Sequence, residues 1–304
     1  MATFRSDFVQ LVDKDVKIHV SLSVSPAPTT VVFLHYWGGS TWTWDGVASR
    51  IAYSPGRFQT VSVDFRGWGL STGPADAAAY SIHDLANDVV DVLTQYHRGQ
   101  AISDRIVLVG LSMGAKVAQV VADTLRRTET GMRLLGAVLA SPAPAASMQL
   151  PPDMQEQQLR AYDNSESASF VARNVLTESF REAKELPSFL VEDMIRGNTW
   201  ARAAWPAYAM AEDVTATSLS TPAGPHHEDA SPHQQVASIP VLVLAAEKDI
   251  VEPLARVRAG VVEQIPGAEL QVIPGSGHLS PVDDPESVYD AIIRFIEKQS
   301  ASGV

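Results

Sequence analysis

The sequence predicts an α/β protein, with a mostly parallel sheet flanked by helices and a helical segment inserted into it. Short continuous apolar runs, typical of strands buried on both faces, alternate with stretches of helical periodicity. Such alternation is characteristic of a parallel sheet covered by helices. It stops at Pro142 and returns at Val241, so we expect the residues between them to form a helical cap.

The predicted strands follow one another in two groups. Two short strands at 8–12 and 16–24 are separated by a turn signal and are expected to pair at the start of the sheet. Before the cap, buried runs occupy 30–34, 60–63, 106–109 and 135–140. After the cap, the strand pattern returns at 241–245 and 269–273.

Stretches of helical periodicity lie between the predicted strands and after the last of them. The clearest covers 82–96 and begins at Ser81 and Asp84, which match a capping box. A last helix is expected over 285–298, with Asp284 as its N-cap. Four cap stretches are helix candidates, followed by a polar loop: 153–163, 168–185, 188–197 and 199–213, then 221–233. The predicted organisation is a core of residues 1–141 and 239–304 with a cap of residues 142–238.

The composition is that of a folded protein without a basic surface. The 304 residues include 23 Lys+Arg and 35 Asp+Glu, a formal net charge of −12 at pH 7. This balance argues against binding to nucleic acid or to a membrane surface, because both need basic patches. The absence of cysteine excludes disulfides and thiolate chemistry. We expect a cytoplasmic monomer or weak homo-oligomer, since neither a signal peptide nor a membrane-spanning stretch is recognisable.

The most specific chemical motif is Gly110-Leu111-Ser112-Met113-Gly114, between the strand predicted at 106–109 and a helical stretch. A sharp turn from strand to helix brings backbones close together, which favours glycine on both sides of the central residue. It also raises the serine oxygen above the sheet at a helix N-terminus. Ser112 is therefore the candidate nucleophile, and a purely structural glycine-rich connection is the alternative.

His278 is the candidate base among eight histidines. A serine hydroxyl is a poor nucleophile without a base. His278 follows the strand predicted at 269–273, so it is expected at the same edge of the sheet as Ser112. His35 is expected to pack in the loop that it opens. Three more histidines lie in the polar loop without a ligand spacing, so no metal or cofactor is predicted: His226, His227 and His233.

Asp249 is the candidate acid that orients the base. It follows the strand predicted at 241–245, again at the carboxyl edge. Glu247 is the alternative, but Asp249 lies further into the loop and its shorter side chain is stiffer. Three other charged residues near these motifs are interpreted as structural: Lys116 in the helix after Ser112, and Asp283 and Asp284 at a helix start.

The order Ser112, Asp249, His278 is that of the α/β-hydrolases, and the sequence resembles a capped α/β-hydrolase of the esterase, lactonase and C–C hydrolase type. The resemblance covers nearly the whole chain outside the cap. It rests on four elements: the His35 loop, the run Asp64-Phe65-Arg66-Gly67-Trp68-Gly69-Leu70-Ser71, the turn at 110–114, and the loops of Asp249 and His278. The second element is mainly structural in the family, so no chemistry is assigned to Asp64 or Arg66.

The resemblance also implies an oxyanion hole made of two backbone N–H groups. One belongs to Met113, the residue after the nucleophile. The family takes the other from a His-Gly-x loop in which x is the donor, and by register this residue is Trp37. Tyr36 stands where the family has glycine, which leaves Tyr36 and Gly38 as alternative donors.

These residues predict a cofactor-free serine hydrolase that cleaves an ester or lactone of a hydrophobic or aromatic small molecule through an acyl-enzyme. Tyr36, Trp205 and Tyr208 are candidate substrate-binding residues, with packing as the alternative. Within the fold, C–C hydrolysis of a diketone-type substrate and a cofactor-free haloperoxidase or perhydrolase are the alternative activities. A small-molecule receptor or non-hydrolytic biosynthetic protein is the alternative from another class.

Overall fold

An eight-stranded, mostly parallel sheet organises the residues that the computed structural model describes: 3–11, 15–53, 56–182, 185–219 and 239–301. Its strands are β1 (Phe4–Gln10), β2 (Lys17–Ser23), β3 (Thr30–Leu34), β4 (Gln59–Val63), β5 (Arg105–Leu111), β6 (Arg133–Ala140), β7 (Val241–Ala246) and β8 (Glu269–Ile273). They lie in the order β1-β2-β4-β3-β5-β6-β7-β8. β2 is antiparallel to both β1 and β4, and all other neighbours are parallel. The predicted fold class is confirmed.

The first strand lies further toward the N-terminus than the prediction of 8–12. β1 pairs with β2 from Phe4 opposite Ser23 to Gln10 opposite Lys17. Because β1 is an edge strand held by backbone hydrogen bonds, its start carries polar side chains and shows no apolar run. The interior strands β3, β4 and β7 are fully buried, as their apolar runs predict.

Six helices accompany the sheet in the described residues: α1 (Asp45–Ala52), α2 (Ile82–Arg98), α3 (Met113–Arg127), α8 (Leu254–Gly260), α9 (Ser280–Asp283) and α10 (Pro285–Ala301). α2 packs on α3, and α1 packs on α10. The capping box is confirmed, because Ser81 Oγ accepts from the N–H of Asp84 at 3.0 Å and the Asp84 carboxylate accepts from the N–H of Ser81 at 3.1 Å. Asp284 caps α10 by accepting from the N–H of Ser287 at 3.0 Å.

The described residues between β6 and β7 form four α-helices: α4 (Pro152–Leu159), α5 (Ser165–Val171), α6 (Ser188–Arg196) and α7 (Thr199–Ala207). A π-helical turn, Ala172–Leu176, continues α5. We call residues 152–182 and 185–207 the helical segment. In the described residues between β6 and β7 there is no strand. The predicted polar loop at 221–233 lies outside the described residues.

The helices of this segment are shorter than their predicted stretches. Helix α4 ends at Leu159, because Asn164 caps the next helix. The Asn164 side chain accepts from the N–H groups of Glu166 and Ser167 at 3.0 Å. Helix α5 therefore starts at Ser165, whereas the predicted stretch starts at residue 168. Among the described helices, none has the length and apolar character to cross a membrane.

Candidate active site

Ser112 occupies the turn between β5 and α3, where its backbone is strained. Its φ is 56° and its ψ is −116°, in a region that L-residues other than glycine rarely adopt. Such a conformation costs on the order of 1–3 kcal/mol and persists where the surrounding structure enforces it. The N–H of Ser112 donates to the carbonyl of Ala140 at 2.9 Å, which fixes the turn to β6.

The two glycines of the motif are required by close backbone approach, as predicted. A Cβ at Gly110 would lie 2.3 Å from the carbonyl oxygen of Gly114, and a Cβ at Gly114 would lie 2.4 Å from that of His35. Backbone cannot give way as a flexible side chain can. The strand, the turn, the helix and the His35 loop therefore meet only because these positions lack side chains.

His278 and Asp249 are in contact, although they are 29 positions apart in the sequence. His278 Nδ1 lies 2.8 Å from Asp249 Oδ2, and both side chains are buried. The second oxygen of Asp249 accepts from the N–H groups of Val251 and Glu252 at 2.8 and 2.9 Å, which holds the carboxylate toward the histidine. Glu247 instead accepts from the N–H of Gly275 at 2.8 Å, and its side chain is 49% exposed. The structure thus places Asp249, and not Glu247, against the imidazole.

The electrostatics of this pair are set by two carboxylates. Burial disfavours the imidazolium, but Asp249 and Glu252 together outweigh it and raise the pKa of His278 above 6.5. Burial opposes ionisation of Asp249 as well, yet the neighbouring His278 and hydrogen bonds to its oxygens lower the pKa of Asp249 below its usual value. The balance between burial and the two carboxylates depends on how deeply the imidazole lies in the fold, which the sequence alone does not show.

Glu252 is an acidic group near the site that sequence reasoning missed. Its side chain is only 2% exposed, and Oε2 has no hydrogen bond in the described residues, with Arg256 Nη1 at 3.8 Å. Burial raises the pKa of Glu252 to about 7, although His278 and Arg256 oppose the shift. It lies in the loop before α8, where no local pattern signals the burial of an acidic side chain.

Ser112 lies at the same carboxyl edge of the sheet, since it follows β5 as Asp249 follows β7 and His278 follows β8. Within the described residues its hydroxyl makes no hydrogen bond, so the structure pairs the acid with the base but not the base with the serine. Serine–histidine hydrogen bonds are often long before substrate binds. The side chains of all three residues are largely shielded from solvent.

His35 stabilises its loop, as predicted. Its Nδ1 lies 2.6 Å from the carbonyl oxygen of Tyr36, and its Nε2 accepts from the N–H of Phe65 at 3.1 Å. Burial lowers the pKa of His35 to about 4, so the ring is neutral at physiological pH. A ring with both nitrogens engaged has neither of them available to act as a base.

Asp64 and Arg66 also have structural partners. Asp64 accepts from the N–H groups of Thr41 and Leu70 at 2.6 and 2.8 Å. Arg66 forms a buried bidentate pair with Asp88. The bond from Thr41 joins the loops after β3 and β4, and the Arg66–Asp88 pair joins the loop after β4 to helix α2, in agreement with the absence of a predicted chemical role.

The loop after β3 is held by the helical segment. The indole ring of Trp37 stacks on Tyr162, with centroids 4.1 Å apart. Tyr162 Oη donates to the carbonyl of Trp37 at 2.9 Å, and Trp37 Nε1 donates to the carbonyl of Arg202 at 2.9 Å. Farther along the loop, Ser40 Oγ donates to the buried Asp193 carboxylate at 2.5 Å. Sequence reasoning singled out none of these partners, because their distance along the chain removes any local signal.

Asp283 has a different role from the helix start that the sequence predicted. It is the last residue of α9, and its carboxylate accepts from the N–H of Gly277 at 2.7 Å. The same carboxylate accepts from Glu178 and Ser179 N–H groups at 2.9 and 3.0 Å. Asp283 therefore joins the His278 loop to the helical segment. The prediction for Asp284 as a helix cap is confirmed by its bond to Ser287.

Lys116 is structural, as predicted, and its partners are carbonyl groups. The side chain is buried, and Nζ donates to the carbonyls of Met210 and Glu212 at 3.1 and 2.6 Å. Burial lowers the pKa of Lys116 to about 8, and nearby carboxylates oppose that shift. This lysine fixes the chain after α7 to helix α3.

The predicted pocket residues occupy buried or half-buried positions. Tyr36 and Trp205 are 2% and 5% exposed, and within the described residues the hydroxyl of Tyr36 has no hydrogen-bond partner. Tyr208 is half-buried, and its hydroxyl accepts from the N–H of Tyr80 at 3.1 Å. A contact of these three side chains with a substrate stays a prediction.

A search for metal sites covers only the described part of the chain. There, no group of three or more His, Asp or Glu side chains has an arrangement that could hold a metal ion. The three histidines of the predicted polar loop lie outside the described residues: His226, His227 and His233.

Comparison with known proteins gives a family and several structural neighbours. The model of the alpha/beta hydrolase family matches residues 31–291. The chain is 25% identical over 285 residues to 3-oxoadipate enol-lactonase 2 of Acinetobacter baylyi, covering 93% of this chain and 94% of that protein. An esterase from Exiguobacterium antarcticum has a TM-score of 0.72 and 20% identity, covering 96% of this chain and 100% of the other. A bromoperoxidase from Bacillus anthracis has a TM-score of 0.74 and 16% identity, with the same coverage. At these identities the two structures show a shared fold and not a shared reaction.

Proposed function

We propose that this chain, which belongs to the alpha/beta hydrolase family, hydrolyses a carboxylic ester or lactone of a hydrophobic or aromatic small molecule. The observation that carries the proposal is the buried Asp249–His278 pair at the sheet edge where Ser112 occupies a strained turn. An oriented imidazole at the same sheet edge as a strand-end serine is the arrangement that activates a hydroxyl nucleophile. The enol-lactonase relative supports the substrate class.

In the proposed mechanism, Asp249 holds the Nδ1–H of His278, so that Nε2 is free to accept a proton. His278 takes the proton of Ser112 as Oγ attacks the carbonyl carbon, and the electron pair of the C=O bond moves to oxygen. The tetrahedral intermediate collapses when His278 gives that proton to the leaving alcohol, or to the ring oxygen of a lactone. Water then attacks the acyl-enzyme with the same base and releases the acid.

The two proposed oxyanion donors are the N–H groups of Met113 and Trp37. Met113 is the first residue of α3, and such N–H groups have no partner within their helix. Peptide orientation argues against Tyr36: the carbonyl of His35 faces Gly114, so in a trans peptide the N–H of Tyr36 points away from α3. Gly38 stays the alternative donor.

We further propose that residues 142–238 act as a cap on a core of residues 1–141 and 239–304. The contacts of the helical segment with the loops of Trp37 and His278 support this division. A cap over the site would select the acyl group, since pockets of this kind are lined mainly by apolar side chains. Cytoplasmic location and a monomeric or weakly oligomeric state are proposed on composition alone.

The decisive experiment is labelling with a p-nitrophenyl alkylphosphonate, followed by a panel of esters, lactones and diketones. We expect one equivalent of label on Ser112 and turnover of apolar esters or lactones. Diketone cleavage without ester cleavage would favour a C–C hydrolase. Absence of both label and turnover would favour a binding protein.

The pH dependence of kcat/KM should show an acid limb with an apparent pKa above 6.5. His278 must be neutral to accept the serine proton, and its raised pKa means that activity is lost as the pH falls through that higher value. Glu252→Gln removes the weaker of the two carboxylates that raise it, so the limb should move to lower pH. The shift should be small, because a group with a pKa of about 7 is already partly protonated along this limb. Glu247→Gln, which changes an exposed carboxylate of the same loop, should leave the limb in place. A wild-type profile that is flat down to about pH 4 would contradict the role of His278.

Trp205→Ala and Tyr208→Ala should change the preference for the acyl group more than they change the rate of hydrolysis of a small activated ester. We expect kcat/KM for p-nitrophenyl acetate to change by about 3-fold or less. The ratio of kcat/KM between acetate and octanoate esters should change by about 10-fold, because each substitution removes roughly one apolar contact with the longer acyl chain. The measurement is kcat/KM over a series of acyl lengths, with thermal melting to detect a destabilised fold. An equal loss on every ester would indicate packing alone.

A further inference from the structure

Trp37, the proposed oxyanion donor, is held by the helical segment through two side-chain contacts and one ring stack. Its carbonyl accepts from Tyr162 Oη, its Nε1 donates to the carbonyl of Arg202, and its ring stacks on that of Tyr162. Arg202 Nη1 in turn donates to the carbonyl of Tyr162 at 2.5 Å. Three residues from different parts of the chain thus form one connected arrangement.

The loop of Trp37 needs this support. Gly38 has a φ of +100°, a conformation open to glycine, and the peptides on either side of a glycine reorient easily when nothing holds them. The carbonyl of Tyr36 is fixed by the N–H of Gly39 at 3.0 Å and by His35 Nδ1 at 2.6 Å. In the described residues the carbonyl of Trp37 has only the Tyr162 hydroxyl to fix it.

Tyr162 suits this task because it is rigid and remains a donor. Its side chain is 2% exposed, and burial raises the pKa of its phenol, so the hydroxyl stays protonated. The ring fits closely over the loop: a Cβ at Gly38 would lie 2.7 Å from the ring and hydroxyl of Tyr162. A tyrosine in this place fills the space that the glycine leaves.

We propose that Tyr162 is a positioning residue for the oxyanion hole, holding the backbone of Trp37 through its hydroxyl and its stacked ring. This inference rests on the proposed serine hydrolase function. The donor N–H of Trp37 shares its peptide with the carbonyl of Tyr36, and Tyr162 fixes the next peptide, on the carboxyl side of Trp37. The helical segment therefore takes part in catalysis by fixing the position of the residue that carries the donor N–H, in addition to any selection of substrate. Preorganised donors stabilise the transition state because they need no reorientation during the reaction.

The test is Tyr162→Phe, which removes the hydroxyl and keeps the stacked ring. Loss of this one hydrogen bond should lower kcat for p-nitrophenyl acetate by about 10-fold, and KM should stay within about 2-fold, because the donor acts on the transition state. The rate constant for reaction of Ser112 with a p-nitrophenyl alkylphosphonate should fall by a similar factor of about 10, since its phosphoryl oxygen uses the same donors. In that reaction the Ser112 Oγ–P bond forms, nitrophenolate leaves, and the serine proton passes to His278.

The matched control is Tyr80→Phe. The hydroxyl of Tyr80 is also buried and donates to a backbone carbonyl, that of Pro74 at 2.6 Å. It also accepts from Asn198 Nδ2 at 2.7 Å, at the start of α7, and it has no hydrogen bond to the Trp37 loop in the described residues. This variant should keep wild-type kcat, whereas a general effect of a lost buried hydroxyl would slow both variants equally and overturn the proposal. Thermal melting of both variants separates loss of folded protein from loss of rate.

The same measurements distinguish failure of this inference from failure of the proposed function. If wild type takes up the phosphonate and Ser112→Ala does not, the function stands. A Tyr162→Phe variant that then reacts as fast as wild type, or that changes KM alone, overturns the positioning role. If wild type takes up no phosphonate at all, the proposed function fails first and the inference fails with it.

Discussion

Ser112→Ala is expected to abolish turnover, with a loss of roughly a million-fold in kcat, because no other group can form the acyl-enzyme. His278→Ala should cost about as much, since the serine hydroxyl is not a nucleophile without a base. The two residues act as a unit, so the double variant should be little worse than either single one. The measurement is kcat on the best ester of the panel, with circular dichroism to show an intact fold.

The folding control matters at Ser112, because its φ of 56° strains any residue with a side chain. Ser112→Gly offers a matched comparison: it also removes the hydroxyl but relieves the strain, so it should be equally inactive and at least as stable as Ser112→Ala. Substantial activity in either variant would contradict the proposed mechanism. Activity that survives in Ser112→Ala but is lost in His278→Ala would point to a water nucleophile.

Asp249→Asn is expected to lower kcat by roughly ten thousand-fold. The amide can no longer fix the N–H at Nδ1, so His278 adopts the wrong tautomer and cannot accept the serine proton at Nε2. Removing the carboxylate should also lower the pKa of His278, because Asp249 is the larger of the two groups that raise it. The acid limb of any remaining activity should therefore move to lower pH.

Glu247→Gln is the comparison for that variant. Its carboxylate accepts from Gly275 on an exposed part of the loop and does not touch the imidazole, so the change should cost less than about 3-fold. A larger loss in Glu247→Gln than in Asp249→Asn, measured as kcat/KM on the same ester, would show that the acid has been assigned to the wrong residue.

Much of the fold followed from local pattern. Strand β3 has the predicted bounds, because a buried parallel strand is apolar along its whole length. Strand β8 also has the predicted bounds, although it is a partly exposed edge strand with Glu269 and Gln271 in it. β1 was misplaced, since backbone pairing at a sheet edge leaves no apolar run to read. In the helical segment, the break at Asn164 was missed because a helix cap competes with a continuing amphipathic pattern.

For the candidate site, the sequence by itself determined which side chains reach the functional edge. Ser112, Asp249 and His278 each follow a predicted strand directly, and the carboxyl ends of parallel strands share one edge. That inference needs only the strand pattern and the direction of the chain.

Only the tertiary structure decided which groups meet and how they are held there. It placed Asp249 rather than Glu247 on His278, buried Glu252 nearby, and brought Tyr162 to Trp37 across 125 positions. The net rise in the pKa of His278 is also a tertiary property, because it is a balance between burial and carboxylates from another loop. Periodicity reports the face that each element buries, whereas contacts between loops depend on how the elements pack, and no local pattern carries that information.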